Sequence, residues 1–168
     1  ELELGSRFCR ATMAAITGTN GKTTTTELLA HLARAAGRRG EALGNVGRPL
    51  CLVAEELEPG DIAVLEVSSF QLETVETFRP LVGSVLNLAP DHLDRYPDLA
   101  AYYAAKRRLA ALLPPEGLFV TWTRCPEAQA WPTAARRLWF GDEAGGAGVF
   151  FRDGRLWAAS PGREPAAL

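Results

Sequence analysis

The sequence is poor in several things, and each scarcity removes a class of protein. Only three cysteines occur in 168 residues, Cys9, Cys51 and Cys125. They are odd in number, far apart and never in C-x-x-C spacing, so neither a disulfide framework nor a zinc site is indicated, and three reduced thiols in or near the core are expected. No run approaches the roughly 18 apolar residues of a membrane-spanning helix, and the start Glu1-Leu2-Glu3-Leu4 is acidic, unlike the basic lead of a signal peptide. A cytoplasmic chain with no membrane partner is therefore expected. A dominant charge is missing too. The net charge is -2, without a block of like charges or aromatics interleaved among basic residues, so no nucleic-acid partner is expected. Nothing indicates an oligomer. Lysine is the sharpest scarcity: of 18 basic residues only Lys22 and Lys106 are lysine. A chain so biased toward arginine keeps lysine mainly where a compact point charge or a nucleophilic amine is needed.

What is present suits one globular domain, with 47% hydrophobic residues over this length. Short, nearly continuous apolar runs at Ala14–Thr17, Glu41–Leu43, Ile62–Val67 and Val82–Leu88 read as buried strands. Further strands are expected at Leu118–Val120 and Leu138–Phe140. Between them, helices are expected from Lys22 to Gly37, with Leu28, Leu29, Leu32 and Ala36 on its apolar side, and from Leu99 to Leu113, stopped by Pro114-Pro115. Strands of this kind alternating with helices argue an α/β fold, an open mostly parallel sheet with helices on both faces. Asp153-Gly154 between apolar pairs predicts a small peripheral β-hairpin near the C-terminus, after a glycine-rich loop over Glu143–Gly148.

The chemistry gathers at the ends of these strands. Gly18-Thr19-Asn20-Gly21-Lys22-Thr23 stands between strand and helix, where a glycine loop lets backbone N–H groups approach phosphate oxygens and the helix N-terminus adds positive potential. This P-loop-like cradle predicts ATP with magnesium, Lys22 reaching the outer phosphates and the Thr23 hydroxyl ligating the metal. The spacing is short: five residues before Gly21 stands Ile16, not the glycine of G-x-x-x-x-G-K-[ST]. Glu66 lies near the carboxyl end of a strand otherwise buried, and a lone carboxylate there needs a metal or a salt bridge to an arginine. In open parallel sheets ligands collect outside the carboxyl ends of strands, where Gly18, Gly44, Glu66 and Asn87 would all lie. Asp91-His92-Leu93-Asp94 is dense in ligand atoms, though it equally suits a helix cap and a surface ion pair. His31, in the first helix, reads as structural.

Taken in order, GTNGKTTTTELLAHL, GNVGRPL, LEVSSFQLE and NLAPDHLDRYPDLAAYYAAKRRL closely resemble the central, ATP-binding domain of the Mur ligases, the amino-acid ligases of peptidoglycan precursor synthesis. The likeness is dense from Ala14 to Leu109. SSFQLE and DHLDRY resemble the branch that joins D-glutamate to UDP-N-acetylmuramoyl-L-alanine; folylpolyglutamate synthase-type or other Mur ligases are the nearest alternative, and a non-catalytic nucleotide-binding module the more distant one. The resemblance implies an acyl phosphate made from ATP and displaced by the amino acid's amine. It implies that Gly18, Thr19, Asn20, Gly21, Lys22, Thr23 and Thr24 form the ATP loop, with Ser68 near the phosphates. Thr23 and Glu66 would serve a first magnesium, and His92 and Lys106 a second, with Asn45 and His92 near the reacting carboxylate. Lys106 matches a lysine that family members carry as a carbamate. It further implies one domain over residues 1–168, with 1–13 as lead-in and 143–168 peripheral. The N-terminal UDP-binding and C-terminal domains would lie outside the chain, and the chain alone would be inactive. Thr121-Trp122-Thr123-Arg124 departs from the Asn-x-Asp-type stretch usual in the family.

Overall fold

The computed structural model describes residues 1–142, 147–160 and 164–167. Among the described residues nine strands form one sheet: β1 (Thr12–Thr17), β2 (Gly40–Gly44), β3 (Ile62–Glu66), β4 (Val82–Val85), β5 (Leu118–Trp122), β6 (Arg136–Gly141), β7 (Gly148–Arg152), β8 (Arg155–Ala159) and β9 (Ala166–Ala167). Their order is β2-β3-β1-β4-β5-β6-β7-β8-β9. The first seven in that order pair in parallel, while β8 and β9 add antiparallel.

The helices are α1 (Leu2–Ser6), α2 (Lys22–Ala35), α3 (Ser69–Thr74), α4 (Leu99–Leu112) and α5 (Pro126–Gln129), with two 3-10 turns at Leu50–Leu52 and Ala54–Glu56. They cover both faces, as alternation along the strands requires. Ala15, Leu43, Ala63 and Leu65 pack with Leu72 and Leu109 of α3 and α4. Ile16 and Val64 turn the other way and pack with Ala30 of α2. The chain leaves β1 for β2 and β3 on one side, then returns to β4 on the other. The carboxyl end of β1 is thus the point where strand order reverses, the position at which open parallel sheets form a ligand crevice.

Two expectations need correction. In α2 the buried residues are Thr26, Ala30 and Ala33, whereas Leu28 and Leu32 are about half exposed, at 55% and 52%. Small residues face the sheet because α2 lies very close to β2: a Cβ on Gly40 would come within 2.6 Å of the Ala30 carbonyl oxygen and of the Ala33 Cβ. The fourth strand stops at Val85 rather than Leu88, because Leu86 to Ala89 turn toward the loop after β1. The hairpin forms as expected, Asp153 and Gly154 adopting φ of 51° and 75°, yet it continues the main sheet through β7 and is not set apart from it. The lead-in is folded: Leu2 of α1 is buried in the core, and Glu3 accepts hydrogen bonds from the N–H groups of Glu76, Thr77 and Phe78. Most of the glycine-rich stretch, residues 143–146, lies outside the described residues.

Candidate phosphate and metal site

The loop from Gly18 to Gly21 sits at the carboxyl end of β1, in the crevice. Gly21 takes a left-handed φ of 82° as N-cap of α2 and offers no side chain, so the helix has no side-chain cap. Hydrogen bonding inside the helix begins only with Thr25, whose N–H reaches the Gly21 carbonyl. The N–H groups of Lys22, Thr23 and Thr24, with the helix dipole behind them, therefore point free into the crevice, which is how a helix start accommodates phosphate. Lys22 folds back, its Nζ donating to the Thr19 carbonyl at 2.9 Å, within reach of the same space.

On the β3 side stands Glu66, 3% exposed. The Thr23 hydroxyl donates to its Oε2 at 2.7 Å and the Asn45 amide to its Oε1 at 3.0 Å. Register explains the Asn45 contact: Gly44 is the β2 partner of Glu66, and its φ of 99° brings the chain so near that a Cβ would sit 2.5 Å from the Glu66 carbonyl oxygen. The arginine salt bridge held open for Glu66 does not form among the described residues. Two neutral donors satisfy its hydrogen bonding but not its charge, and a buried uncompensated carboxylate is costly. The described residues contain no cluster of three or more His, Cys, Asp or Glu fit for a metal. A hydroxyl and one carboxylate beside a phosphate cradle nevertheless suit magnesium, which keeps several waters and uses few protein ligands.

On the α4 side Lys106 is 2% exposed. Its Nζ donates to the Gly18 carbonyl at 3.0 Å and lies 3.5 Å from the Thr17 hydroxyl, 4.8 Å above the Tyr102 ring. No carboxylate pairs with it among the described residues. Burial first, and then the Lys22 ammonium, push its pKa down to about 7, with Asp91 pulling weakly the other way. Near neutrality much of this lysine is thus a free amine.

The remaining residues are spread around this centre. His92 takes a φ of 53° and is half exposed; its ring meets Phe70 at 5.0 Å and the edge of Tyr102 at 5.9 Å, with Asp91 Oδ2 3.6 Å from Nε2. Ser68 is the N-cap of α3, in a reciprocal capping box with Gln71. Two residues outside the expected set hold the loop. Asn87 binds the backbone of Thr19 and Asn20, and the Tyr102 hydroxyl lies 3.3 Å from that of Thr19. The sequence places Asn87 at the strand ends without a role and Tyr102 inside the helix expected from Leu99 to Leu113.

Known proteins resemble this chain in sequence and in fold. A 52% identical relative over 111 residues, 66% of this chain and 24% of its own, is the UDP-N-acetylmuramoylalanine–D-glutamate ligase of Pelotomaculum thermopropionicum. The enzyme of that name in Anaeromyxobacter dehalogenans is 50% identical over 137 residues, 81% of this chain and 29% of its own. The chain thus spans about a quarter of the length of such curated relatives. Among solved structures, MurF ligase from Thermotoga maritima in complex with ADP matches with a TM-score of 0.67 at 19% identity, over 99% of this chain and 42% of that one. A UDP-N-acetylmuramoyl-L-alanyl-D-glutamate–2,6-diaminopimelate ligase matches at 0.69 and 22% identity, over 99% and 40%. At such identities the structures speak for the fold alone. A family description, the Mur ligase middle domain, matches residues 16–147. The chain belongs to the Mur ligase middle-domain family.

Proposed function

We propose that this chain supplies the ATP and magnesium site of a cytoplasmic ligase that joins D-glutamate to UDP-N-acetylmuramoyl-L-alanine through an acyl phosphate. The observation that carries the reading is the convergence of three free N–H groups of α2, Lys22 and the Thr23–Glu66 pair on one crevice. Relatives at about half identity that bear that activity in their names support the choice of substrates. Together with the loop backbone, Lys22 holds the outer phosphates, moving from the Thr19 carbonyl to their oxygens. Phosphoryl transfer asks mainly for positioning and charge stabilisation, and both are what these groups provide. Thr23 and Glu66 would hold a first magnesium, which would supply neutralisation of charge on the transferring phosphoryl group. Asn45 keeps the Glu66 carboxylate aimed.

Lys106 is the group expected to change covalently. Its free amine attacks CO2, forming an N–C bond and releasing one proton, and yields a carbamate with a carboxylate head on a long arm. With His92 this head serves a second magnesium. The flanking substrate sites belong to domains outside this chain. The test is ADP release by the full-length gene product, which should require both UDP-N-acetylmuramoyl-L-alanine and D-glutamate; release driven by another amino acid would overturn the substrate assignment.

A further inference from the structure

The first turn of the short loop is held by a side chain from outside it, that of Asn87. Asn87 Oδ1 accepts from the Thr19 N–H at 3.2 Å and from the Asn20 N–H at 2.8 Å, while Nδ2 donates back to the Asn20 carbonyl at 2.9 Å. Its own carbonyl takes a further bond from the Thr19 N–H at 3.1 Å. One planar amide therefore meets both a donor pair and an acceptor, which only Asn among the short side chains can do. Gly18 serves the same contact. At φ 148° it lets the strand-end backbone come so near that a Cβ would lie 3.2 Å from Leu86 Cβ and 3.3 Å from the N and O of Asn87.

The contact extends beyond Asn87. Two residues on, the Ala89 N–H donates to the Thr19 hydroxyl at 3.0 Å, and that hydroxyl stands 3.1 Å from the Ala89 carbonyl. The loop and the segment leading to His92 are thereby one hydrogen-bonded unit. Because Asn87 consumes the N–H groups of Thr19 and Asn20, the phosphate contacts fall to the later part of the loop, at the start of α2.

We propose that Asn87 is the positioning residue of the phosphate loop, fixing Thr19 and Asn20 so that the free N–H groups at the start of α2 converge on the outer phosphates. This rests on the nucleotide-site reading given above. Asn87 does not touch the nucleotide; it acts through the loop, and its removal changes affinity by letting the loop relax before binding.

The test is MgATP affinity, by calorimetry on the full-length gene product, for the unsubstituted protein, Asn87→Ala and Asn87→Asp, with melting temperature followed for each. A Leu113→Ala control opens the core away from the crevice and lowers the melting temperature by a structural route. Asn87→Ala should weaken MgATP binding about tenfold or more, whereas Leu113→Ala leaves the affinity unchanged while costing at least as much in melting temperature. Asn87→Asp preserves size and both acceptor contacts but sets a carboxylate against the Asn20 carbonyl, and it too should weaken binding; it serves if Asn87→Ala fails to fold. Unaltered affinity in either folded variant overturns the proposal, as does a Leu113→Ala protein that loses affinity in proportion to stability. If the unsubstituted protein fails to bind MgATP, the nucleotide-site reading itself falls, and this inference falls with it.

Discussion

Replacing Lys106 by methionine should stabilise the fold at neutral and acid pH while abolishing the ligase activity proposed for the full-length gene product. Methionine roughly follows the volume of the lysine stem and carries no charge to desolvate. The buried amine titrates at about 7 instead of 10.5, and each pH unit of displacement corresponds to about 1.4 kcal/mol. Below pH 7 the folded chain thus carries its proton at a cost of roughly 5 kcal/mol relative to the unfolded chain. The folded value lies below the unfolded one, so between pH 7 and 10.5 the unfolded chain binds more protons, and stability rises with pH across that window. Methionine removes that slope. Two losses oppose the gain: the Gly18 carbonyl loses its donor and the Tyr102 ring its cation, each about 1 kcal/mol.

The net expectation is a gain of about 3 kcal/mol at pH 6, shrinking to about 1 kcal/mol near pH 9, where the folded amine is neutral and the Tyr102 ring has no cation to lose. For a domain of this size that is a rise in melting temperature of roughly 6–12 °C. Thermal and urea melts at pH 6, 7.5 and 9 in CO2-free buffer read it directly, CO2 being excluded because a carbamate would replace the titrating amine. A variant less stable than the parent at pH 6, or a difference equal at pH 6 and pH 9, would refute the reasoning.

Glu66→Gln keeps both hydrogen-bond partners and removes the charge, so magnesium-dependent nucleotide binding measured by calorimetry should fall at least about tenfold with stability unchanged or improved. Gly40→Ala should destabilise by about 2–3 kcal/mol in denaturant titration, because its Cβ would press on the backbone and Ala33 of α2. Glu3→Gln should flatten the acid-unfolding curve: the Thr77 hydroxyl first, then the N–H groups around it, hold the carboxyl at about 2 instead of 4.5. The stability that Glu3 confers is therefore complete above pH 4.5 and lost as pH falls through 2.

The strands and the loop were legible because each announces itself locally, by a short apolar run or by glycine at a fixed distance from lysine and threonine. What was illegible depends on distance across the fold. Leu28 and Leu32 have the spacing of a core stripe, yet the near contact at Gly40 leaves room only for Ala30 and Ala33, and that contact joins residues on different elements. Glu66 was visible as a misplaced charge, but its neighbours Thr23 and Asn45 come from the ends of two other elements and are set by strand register. Asn87 gave no periodic signal at all; a single amide after a strand is ordinary until the loop it grips is placed beside it. Ser68 is the opposite case: its capping box is local, written in Ser68 and Gln71 three residues apart.

The lysine scarcity takes on physical meaning when Lys106 is set against Glu66. They flank the end of β1, one reached from α4 and one on β3, each almost wholly buried. Opposite charges so placed would ordinarily neutralise each other, but the loop lies between them, and each bonds to it instead: Lys106 to the Gly18 carbonyl, Glu66 to the Thr23 hydroxyl. The fold thus leaves two uncompensated ionisable groups on opposite sides of one phosphate cradle. Burial answers for Lys106 by driving it toward the neutral amine, a route open to lysine and closed to arginine. Glu66 meets only the neutral donors Thr23 and Asn45 among the described residues, which leaves a place for a cation. A polyanion arriving with magnesium satisfies the cradle and Glu66 together, which is why the arrangement is unfavourable alone and favourable when filled.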